Sequence, residues 1–568
     1  MTARLQALAA GLVALFLVLW FGGLDHRKLA EPDEGRYAEV AREMLETGDL
    51  VTPRLNGFKH FTKPPLQYWM TALAFRLFGV NEWTARLWPA LAGMLTLLAV
   101  LFTMRKLHGA AAAWGNVAVL AGSLYFVFFA QVGTLDMGLT LFVTVTMCAL
   151  MLGLHASPGS DAQRNWTRLA WVAMGLAVLT KGLIGVVFPI GIVTVYALSA
   201  RQSGLWRRLH PVEGSILLCL VAAPWFVAVS WHHPDFPAFF FLEEHVARFA
   251  GAGHRRTKPF WFFVPLVLIG LLPWTWSAVE GTLAGWRTRP AAGAFHPPRF
   301  LTIWALAIVL FFSASRSKMP AYVLPAIPPL AMLAGWRLAT LDARALRRRV
   351  LPLLGAMGIA AVIAAAVLPR TDRAAAYRNL YEDYALWLFA AGALLLAAAI
   401  LIGMLRLAGM RLLASVSLAT LTGLQLCILG LESLSPLRSS HAIAREIARR
   451  STPDTEIFMV GASYLTLPFY LQRTVVLAQE TGQMSFGVRQ EPQRALLEPG
   501  AFAAAWAAAP AAIALMHRRN YEDARAQGVT MRVLCRDAER VLTIKPSAHA
   551  SYPPERDAPD CGRLGAPD

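Results

Sequence analysis

The chain has 568 residues, of which 56% are hydrophobic and only 15% are charged, and its mean hydropathy is +0.48. That composition excludes an ordinary soluble globular protein and predicts an integral membrane protein with many spans. The net charge of +18 comes from Lys and Arg in short loops between apolar runs, not along one soluble face. The predicted partners are therefore anionic membrane lipids and phosphates, not nucleic acid.

The N-terminal run MTARLQALAAGLVALFLVLWFGG is longer than the core of a signal peptide and has no convincing small-residue cleavage site. We expect it to be retained as a first transmembrane helix. Clusters of Arg and Lys in alternate loops predict a cytoplasmic N-terminus and an outer face that carries loops 25–85 and 232–259. Apolar runs of spanning length predict about 13 transmembrane helices, near 5–24, 86–104, 111–130, 135–155, 167–180, 182–199, 213–231, 260–281, 300–314, 319–338, 350–368, 384–404 and 411–431.

Two stretches of the first outer loop, AEVAREML and QYWMTALAFRLF, have apolar residues at helical spacing and are too short to span. We expect helices that lie flat at the outer surface. The tail has a different character, because the short β-rich runs EIFMVG, TVVLA, AAIALM, MRVLC and RVLTI alternate with polar segments. The sequence thus predicts a transmembrane domain over 1–432 and a small α/β domain over 433–568. Cys535 and Cys561 lie in that tail, and they are able to pair only in an oxidising compartment.

Acidic residues mark two outer turns. Asp33 and Glu34 follow the first span, and Asp136 stands alone in TLDMG between the third and fourth spans. Each fits two interpretations, a helix cap that accepts backbone N–H bonds or an acid that accepts a proton or orients a polar substrate.

Basic residues crowd the same predicted outer face. Singly, each is typical of a side chain that reaches the interface from an apolar run. Lys181 fits that interpretation poorly, since it occupies the tight turn LTKGLIG. Cations that converge beside acids predict a phosphate-bearing substrate and a neutralised phosphate leaving group. The set comprises Arg36, Lys63, Lys181, Arg248, Arg255, Arg256, Lys258 and Lys318, the last with the hydroxyl of Tyr322.

His245 adjoins Glu243 and Glu244 and is the candidate centre of a metal site. One His and two carboxylates without a second His are weak spacing for a divalent metal such as Zn²⁺. We therefore expect that no cofactor is required, with His245 and Glu244 as the candidate ligands if a metal binds.

Five segments occur in an order that resembles a known family: PDEGRYAEVAREMLETGDLVTPRLNGFKHFTKPP, TLDMG, TKG, FLEEHVARFAG with HRRTKPFWFFVP, and SRSKMPAYVLP. They resemble the GT-C-fold glycosyltransferases that use polyprenyl-phosphate sugars and are related to protein O-mannosyltransferases. The resemblance is greatest to the bacterial aminoarabinose (4-amino-4-deoxy-L-arabinose) lipid A transferases, and it covers the membrane part but the tail poorly. Where enterobacterial members read PDETRYAE and KPxxGYW, this chain has Gly35 and KPPLQYW.

The resemblance implies a monomeric, multi-pass enzyme of the bacterial inner membrane with a periplasmic site. It would move 4-amino-4-deoxy-L-arabinose from undecaprenyl phosphate to a lipid A phosphate with inversion, and so give resistance to polymyxin and cationic peptides. Asp33 and Asp136 match the acids of the family's first two outer loops. Phosphate-holding positions of the family fall on Lys63, Arg36, Tyr37, Lys181, Arg248 and Tyr322.

Two alternatives stay open. One is a protein or glycan O-glycosyltransferase of the same fold. The other is a lipid-linked sugar transporter, which predicts ionisable residues inside the spans and paired broken helices. The ionisable residues of this chain instead concentrate at one predicted surface.

The acceptor decides what Asp33 does. A phosphate monoester already carries about −1.5 to −2 charge at pH 7, so a general base would gain little. We expect Asp33 to orient the sugar or its amino group and to support positive charge at the anomeric carbon, while the cations stabilise the departing phosphate.

Overall fold

The computed structural model describes residues 3–247, 258–288, 294–546 and 558–564, and the membrane part is almost entirely helical. Its helices are α1 (Ala3–Phe21), α2 (Asp33–Thr47), α3 (Leu66–Phe78), α4 (Glu82–Ala121), α5 (Leu124–Ala130), α6 (Asp136–His155), α7 (Asp161–Lys181), α8 (Ile184–Ser199), α9 (Pro211–His232), α10 (Phe263–Gly270), α11 (Thr275–Arg287), α12 (Pro297–Ala314), α13 (Ile327–Leu338), α14 (Ala343–Val367), α15 (Arg378–Met404) and α16 (Gly409–Gly430).

Among the described residues, seven helices are long and apolar enough to cross a membrane. The segments Phe260–Gly270 and Thr275–Arg287 would add an eighth span if they act as one, although they meet at 117°. The expected count of 13 is higher because several predicted spans are short or joined. Two of them, near 86–104 and 111–130, fall largely on the 40-residue α4, which is kinked at Gly109.

The first outer loop contains the two short helices that the apolar spacing predicts, α2 and α3. A hairpin of β1 (Arg54–Leu55) and β2 (Phe58–Lys59) lies between them. The inner face of α2 is deeply buried, with Val40 inaccessible and Met44 nearly so. This helix is therefore packed between other elements and does not lie freely on a surface.

The tail forms a six-stranded mixed sheet in the order β5–β4–β3–β6–β8–β7. All five strands predicted from β-rich runs are present, and the two-residue β5 is additional. The first four strands of that order are parallel, and the last two pairings are antiparallel. The tail elements are α17 (His441–Arg450), β3 (Glu456–Val460), α18 (Thr466–Leu471), β4 (Val476–Ala478), α19 (Ser485–Gln490), β5 (Ala495–Leu496), α20 (Ala501–Ala508), β6 (Ala512–His517), α21 (Arg518–Ala526), β7 (Arg532–Arg536) and β8 (Arg540–Ile544).

Polar contacts attach the tail to the first outer loop. The Glu31 carboxylate accepts the backbone N–H of Leu465 at 2.8 Å and of Thr466 at 2.7 Å. In the β1–β2 hairpin, the Asn56 amide exchanges two hydrogen bonds with the backbone of Val475, at 2.9 and 2.8 Å. The tail therefore covers the loop that carries the predicted acids. Within the tail, Cys535 and Cys561 form a disulfide.

Candidate active site

The N-terminal turn of α2 holds the first acid and the first cation of the site. Asp33 is the first residue of the helix, and its carboxylate oxygen lies 2.6 Å from a terminal nitrogen of Arg36. The Arg36 guanidinium also lies over the ring of Tyr37, 4.7 Å from its centroid. The Asp33 side chain stays 34% exposed, so a substrate is able to reach it.

The second acid is paired as well. Asp136 begins α6, and the Lys181 ammonium at the end of α7 donates to its carboxylate. Lys181 also lies 4.8 Å from the centroid of the Tyr322 ring, a cation–π distance. Lys181 is thus held in its tight turn by an acid and an aromatic ring, and both partners were among the predicted site residues.

A third pair joins the first outer loop to the outer loop 232–259. The Lys63 ammonium lies 3.4 Å from the carboxylate of Glu244, which belongs to the π-helical segment Ala238–Ala247. His60 is buried nearby, and burial together with the neighbouring Arg36 lowers its pKa to about 3. His60 is therefore a neutral imidazole at physiological pH.

These pairs share one region, which we call the outer cluster: Asp33, Arg36, Tyr37, His60, Lys63, Tyr68, Asp136, Lys181 and Glu244. The charges of Asp33 and Asp136 both act on the Tyr37 hydroxyl, and those of Arg36 and Glu244 both act on Tyr68. Burial raises the pKa of both tyrosines, so each is a neutral hydroxyl.

Two buried polar atoms of the outer cluster have no hydrogen-bond partner among the described residues: the Tyr68 hydroxyl and Nε of Arg36. Such atoms are rare in folded proteins, and at a site they are natural contacts for a bound polar group. Sequence reasoning missed Tyr68 and His60. The only available signal was their position inside the polar stretch KHFTKPPLQYW.

Glu34 was a predicted catalytic residue, and the structure gives it a different setting. Its two carboxylate oxygens lie 2.7 and 2.9 Å from Nε and a terminal nitrogen of Arg86, and both side chains are buried. They also accept the backbone N–H of Gly133 and Ala30. Burial alone would raise the pKa of Glu34, but the Arg86 guanidinium outweighs that effect and lowers it to about 2. Every lone-pair direction of Glu34 is engaged within the protein, so its contacts position the loop, and its catalytic role stays a prediction.

Lys318 and Lys258, the other predicted cations that the structure describes, do not pair with an acid of the outer cluster. Lys318 is buried, and its ammonium donates to the backbone carbonyl of Ser315 in its own turn. Lys258 is exposed. Arg248, Arg255 and Arg256 lie outside the described residues, as does the side chain of His245.

No group of three or more His, Cys, Asp or Glu able to hold a metal ion occurs in the part of the chain that the structure describes. Glu244, the other candidate ligand, is engaged with Lys63. Metal binding by His245 and Glu244 stays a prediction.

Among the described residues, the outer cluster is electrically balanced, because each of its three cations faces one carboxylate: Arg36 with Asp33, Lys181 with Asp136, and Lys63 with Glu244. The sequence predicted an excess of cations here. Each cation is held in place by its carboxylate, and a phosphate is able to replace or share that partner.

Comparison with known proteins covers both parts of the chain. Residues 7–240 match the family model of dolichyl-phosphate-mannose-protein mannosyltransferase, and residues 443–545 match that of the aminoarabinose transferase C-terminal domain. The crystal structure of ArnT from Cupriavidus metallidurans bound to undecaprenyl phosphate superposes with a TM-score of 0.90 at 34% identity. That match covers 96% of this chain and 99% of the other.

Two curated relatives give the same assignment. The undecaprenyl phosphate-α-4-amino-4-deoxy-L-arabinose arabinosyl transferase of Edwardsiella ictaluri is 34% identical over 364 residues, 62% of this chain and 64% of that protein. A transferase of the same description from Proteus mirabilis is 29% identical over 518 residues, 88% of this chain and 90% of that protein. The chain thus aligns with just under two thirds of the first relative's length and most of the second's.

The helical membrane part, with its acid–cation pairs beneath an α/β tail, defines a membrane glycosyltransferase of the GT-C fold class. Within that class, the chain belongs to the aminoarabinose transferase family, as its resemblance predicted.

Proposed function

We propose that this protein is an inverting glycosyltransferase that moves 4-amino-4-deoxy-L-arabinose from undecaprenyl phosphate to a lipid A phosphate. The observation that carries the proposal is the outer cluster, in which three acid–cation pairs meet at the outer loops of a fold shared with a structure bound to undecaprenyl phosphate. The product would carry fewer exposed negative charges, which accounts for resistance to polymyxin and other cationic peptides.

The chemistry follows from the charges. An oxygen of the acceptor phosphate attacks the anomeric carbon, and the bond from that carbon to the carrier phosphate breaks, so its electron pair leaves with undecaprenyl phosphate. Lys63, Arg36 and Lys181 supply the cations that stabilise the departing phosphate. Asp33, exposed in part and paired with Arg36, stabilises positive charge at the anomeric carbon or binds the sugar's amino group. No general base is needed, since the attacking oxygen is already anionic.

The tail supports a periplasmic location for the reaction. The Cys535–Cys561 disulfide favours an oxidising compartment, and in bacteria that is the periplasm. The outer cluster and the tail would both face it from the inner membrane, with the N-terminus in the cytoplasm. A monomeric state and an optional divalent metal at His245 and Glu244 stay predictions.

One other acceptor class has an observation in its favour. The match of residues 7–240 to a protein mannosyltransferase model keeps a protein or glycan acceptor as the alternative. A hydroxyl acceptor needs a general base, however, and both acids of the outer cluster that lie near Tyr37 are engaged with cations. A transporter is disfavoured because the paired charges gather at the outer loops.

The test is mass spectrometry of lipid A from bacteria with and without the gene, together with transfer by the purified protein from undecaprenyl-phosphate aminoarabinose. We expect lipid A phosphates to gain an aminopentose only when the gene is present. Unchanged lipid A together with a glycosylated protein or glycan would replace the lipid acceptor by the alternative. No transfer to any acceptor would overturn the proposal.

A further inference from the structure

One side chain of the tail reaches the outer cluster. The Gln483 carboxamide oxygen accepts a hydrogen bond from a terminal nitrogen of Arg36, and the Gln483 backbone hydrogen-bonds to His60. The other terminal nitrogen of Arg36 is held by Asp33 at 2.6 Å. The guanidinium is thus fixed at both ends, and its buried Nε is left without a partner among the described residues.

Local contacts on both sides fix the turn that carries Gln483. The Glu480 carboxylate accepts the backbone N–H of Thr481 at 3.1 Å and of Gly482 at 2.8 Å. Directly afterwards Met484 is buried, which anchors the C-terminal side of the turn. The Gln483 backbone is therefore fixed on both sides before its side chain meets Arg36.

The following helix, α19, packs between strand β2 and the segment Ala238–Ala247, and so holds this turn in place. Gly487 lies so close to β2 that a Cβ atom there would come within 2.5 Å of the Lys59 carbonyl oxygen. On the other side, the Phe486 ring lies 4.2 Å from that of Phe239, in the segment that carries Glu244. Arg489 pairs with Glu243 of the same segment at 3.2 Å.

From these contacts we infer that Gln483 is a positioning residue for Arg36, supplied to the site by the α/β domain. Gln483 and Asp33 together aim the free Nε–H of Arg36 at the anionic group of the substrate. The tail is then a part of the site and not only a cover. This inference rests on the proposed function for its kinetic readout, but its binding readout does not require transfer.

The test is a double-mutant cycle between Gln483 and Arg36 in the full-length protein. Gln483→Met keeps the length of the side chain and removes the acceptor, and we expect it to weaken binding of undecaprenyl phosphate about tenfold. In turnover, KM for the lipid-linked sugar should rise more than kcat falls, because the lost interaction holds a binding group. In an Arg36→Ala background, Gln483→Met should cause no further loss.

Two comparisons separate positioning from a general effect on the tail. Gln493→Ala removes an exposed glutamine of the same domain and should leave binding and thermal unfolding unchanged. Gln483→Glu retains the acceptor but adds a second carboxylate beside Arg36, so this variant should bind the lipid phosphate less well than Gln483→Met. Additive losses in the cycle, or a loss matched by unfolding of the tail, would overturn the inference. Intact binding effects in a protein that transfers no aminoarabinose would leave the inference standing and remove only the proposed sugar or acceptor.

Discussion

Neighbouring residues Asp33 and Glu34 have different environments because the first turn of α2 points them in different directions. Asp33 is accessible beside Arg36, whereas Glu34 is buried against Arg86. In the sequence they form one acidic pair, and nothing local distinguishes them. Only the long-range partner, 52 residues further along the chain, separates the two.

Breaking the Glu34–Arg86 pair should destabilise the folded protein and not merely slow catalysis. A charge left unpaired at a buried position costs about 3–5 kcal/mol, so Glu34→Gln and Arg86→Met should both lower the apparent Tm in detergent strongly. Arg168→Met breaks an exposed pair with Glu213 and should leave the apparent Tm nearly unchanged. A stable, inactive Glu34→Gln protein would instead restore the catalytic role predicted from the sequence.

Asp33→Asn tests electrostatic support at the anomeric carbon. The change removes the charge that faces Arg36 but keeps the shape, so we expect kcat to fall on the order of 100-fold while the protein stays folded. The pH dependence of kcat/KM should keep its form, because Asp33 does not act as a base in this mechanism. Asp25→Asn, at an exposed position of the same outer loop, serves as the control. Loss of an acidic limb from the pH profile in Asp33→Asn would contradict the proposed role.

At the scale of helices and strands, period and composition predicted α2, α3 and five tail strands, because each has a strong local pattern. The spans were less predictable. Hydropathy detects apolar length but not the kink at Gly109, where the backbone takes a positive φ, or the 117° bend before Thr275. The contribution of Gln483 to the site was likewise invisible, since it depends on how the tail docks.

Gly35 is a packing residue at the contact between α2 and the tail. A Cβ atom there would lie 2.6 Å from the Thr466 side chain and 2.7 Å from the Thr466 backbone nitrogen. Gly35→Thr gives the motif PDETRYAE of enterobacterial members. It should therefore loosen the packing of the tail, lower the apparent Tm of the protein and make the tail more susceptible to protease. Gly191→Ala faces open space in α8 and should leave all three properties unchanged. An unaltered Tm in Gly35→Thr would contradict the close packing of Gly35 against Thr466.

At the scale of the whole molecule, two carboxyl groups of the first outer loop are withdrawn from water, Glu31 at the contact with the tail and Glu43 at the contact with the β1–β2 hairpin. Burial raises the pKa of Glu31 to about 7, against the opposing hydrogen bonds from Thr466. Burial and the nearby Glu39 carboxylate raise the pKa of Glu43 to about 8, although Gly57 donates its N–H to Glu43 and Arg42 lies close by. Each carboxyl group binds its proton more tightly in the folded protein than in the unfolded chain. Each therefore contributes stability that is fully present below pH 4.5 and is lost as the pH rises through the pKa of the folded state.

The stability of the folded protein should therefore fall between about pH 6.5 and 8. Below that window the effect is opposed by His60, whose low folded pKa makes stability rise with pH up to its ordinary value of 6.5. Glu43→Gln stays neutral at every pH, and the difference in apparent Tm between it and the wild type isolates Glu43, because His60 contributes equally to both. We expect that difference to grow in favour of Glu43→Gln from pH 6.5 to 8, measured by thermal unfolding in one detergent at constant ionic strength. A difference that stays constant across this range would mean that Glu43 is already ionised in the folded protein, with Gly57 and Arg42 outweighing its burial.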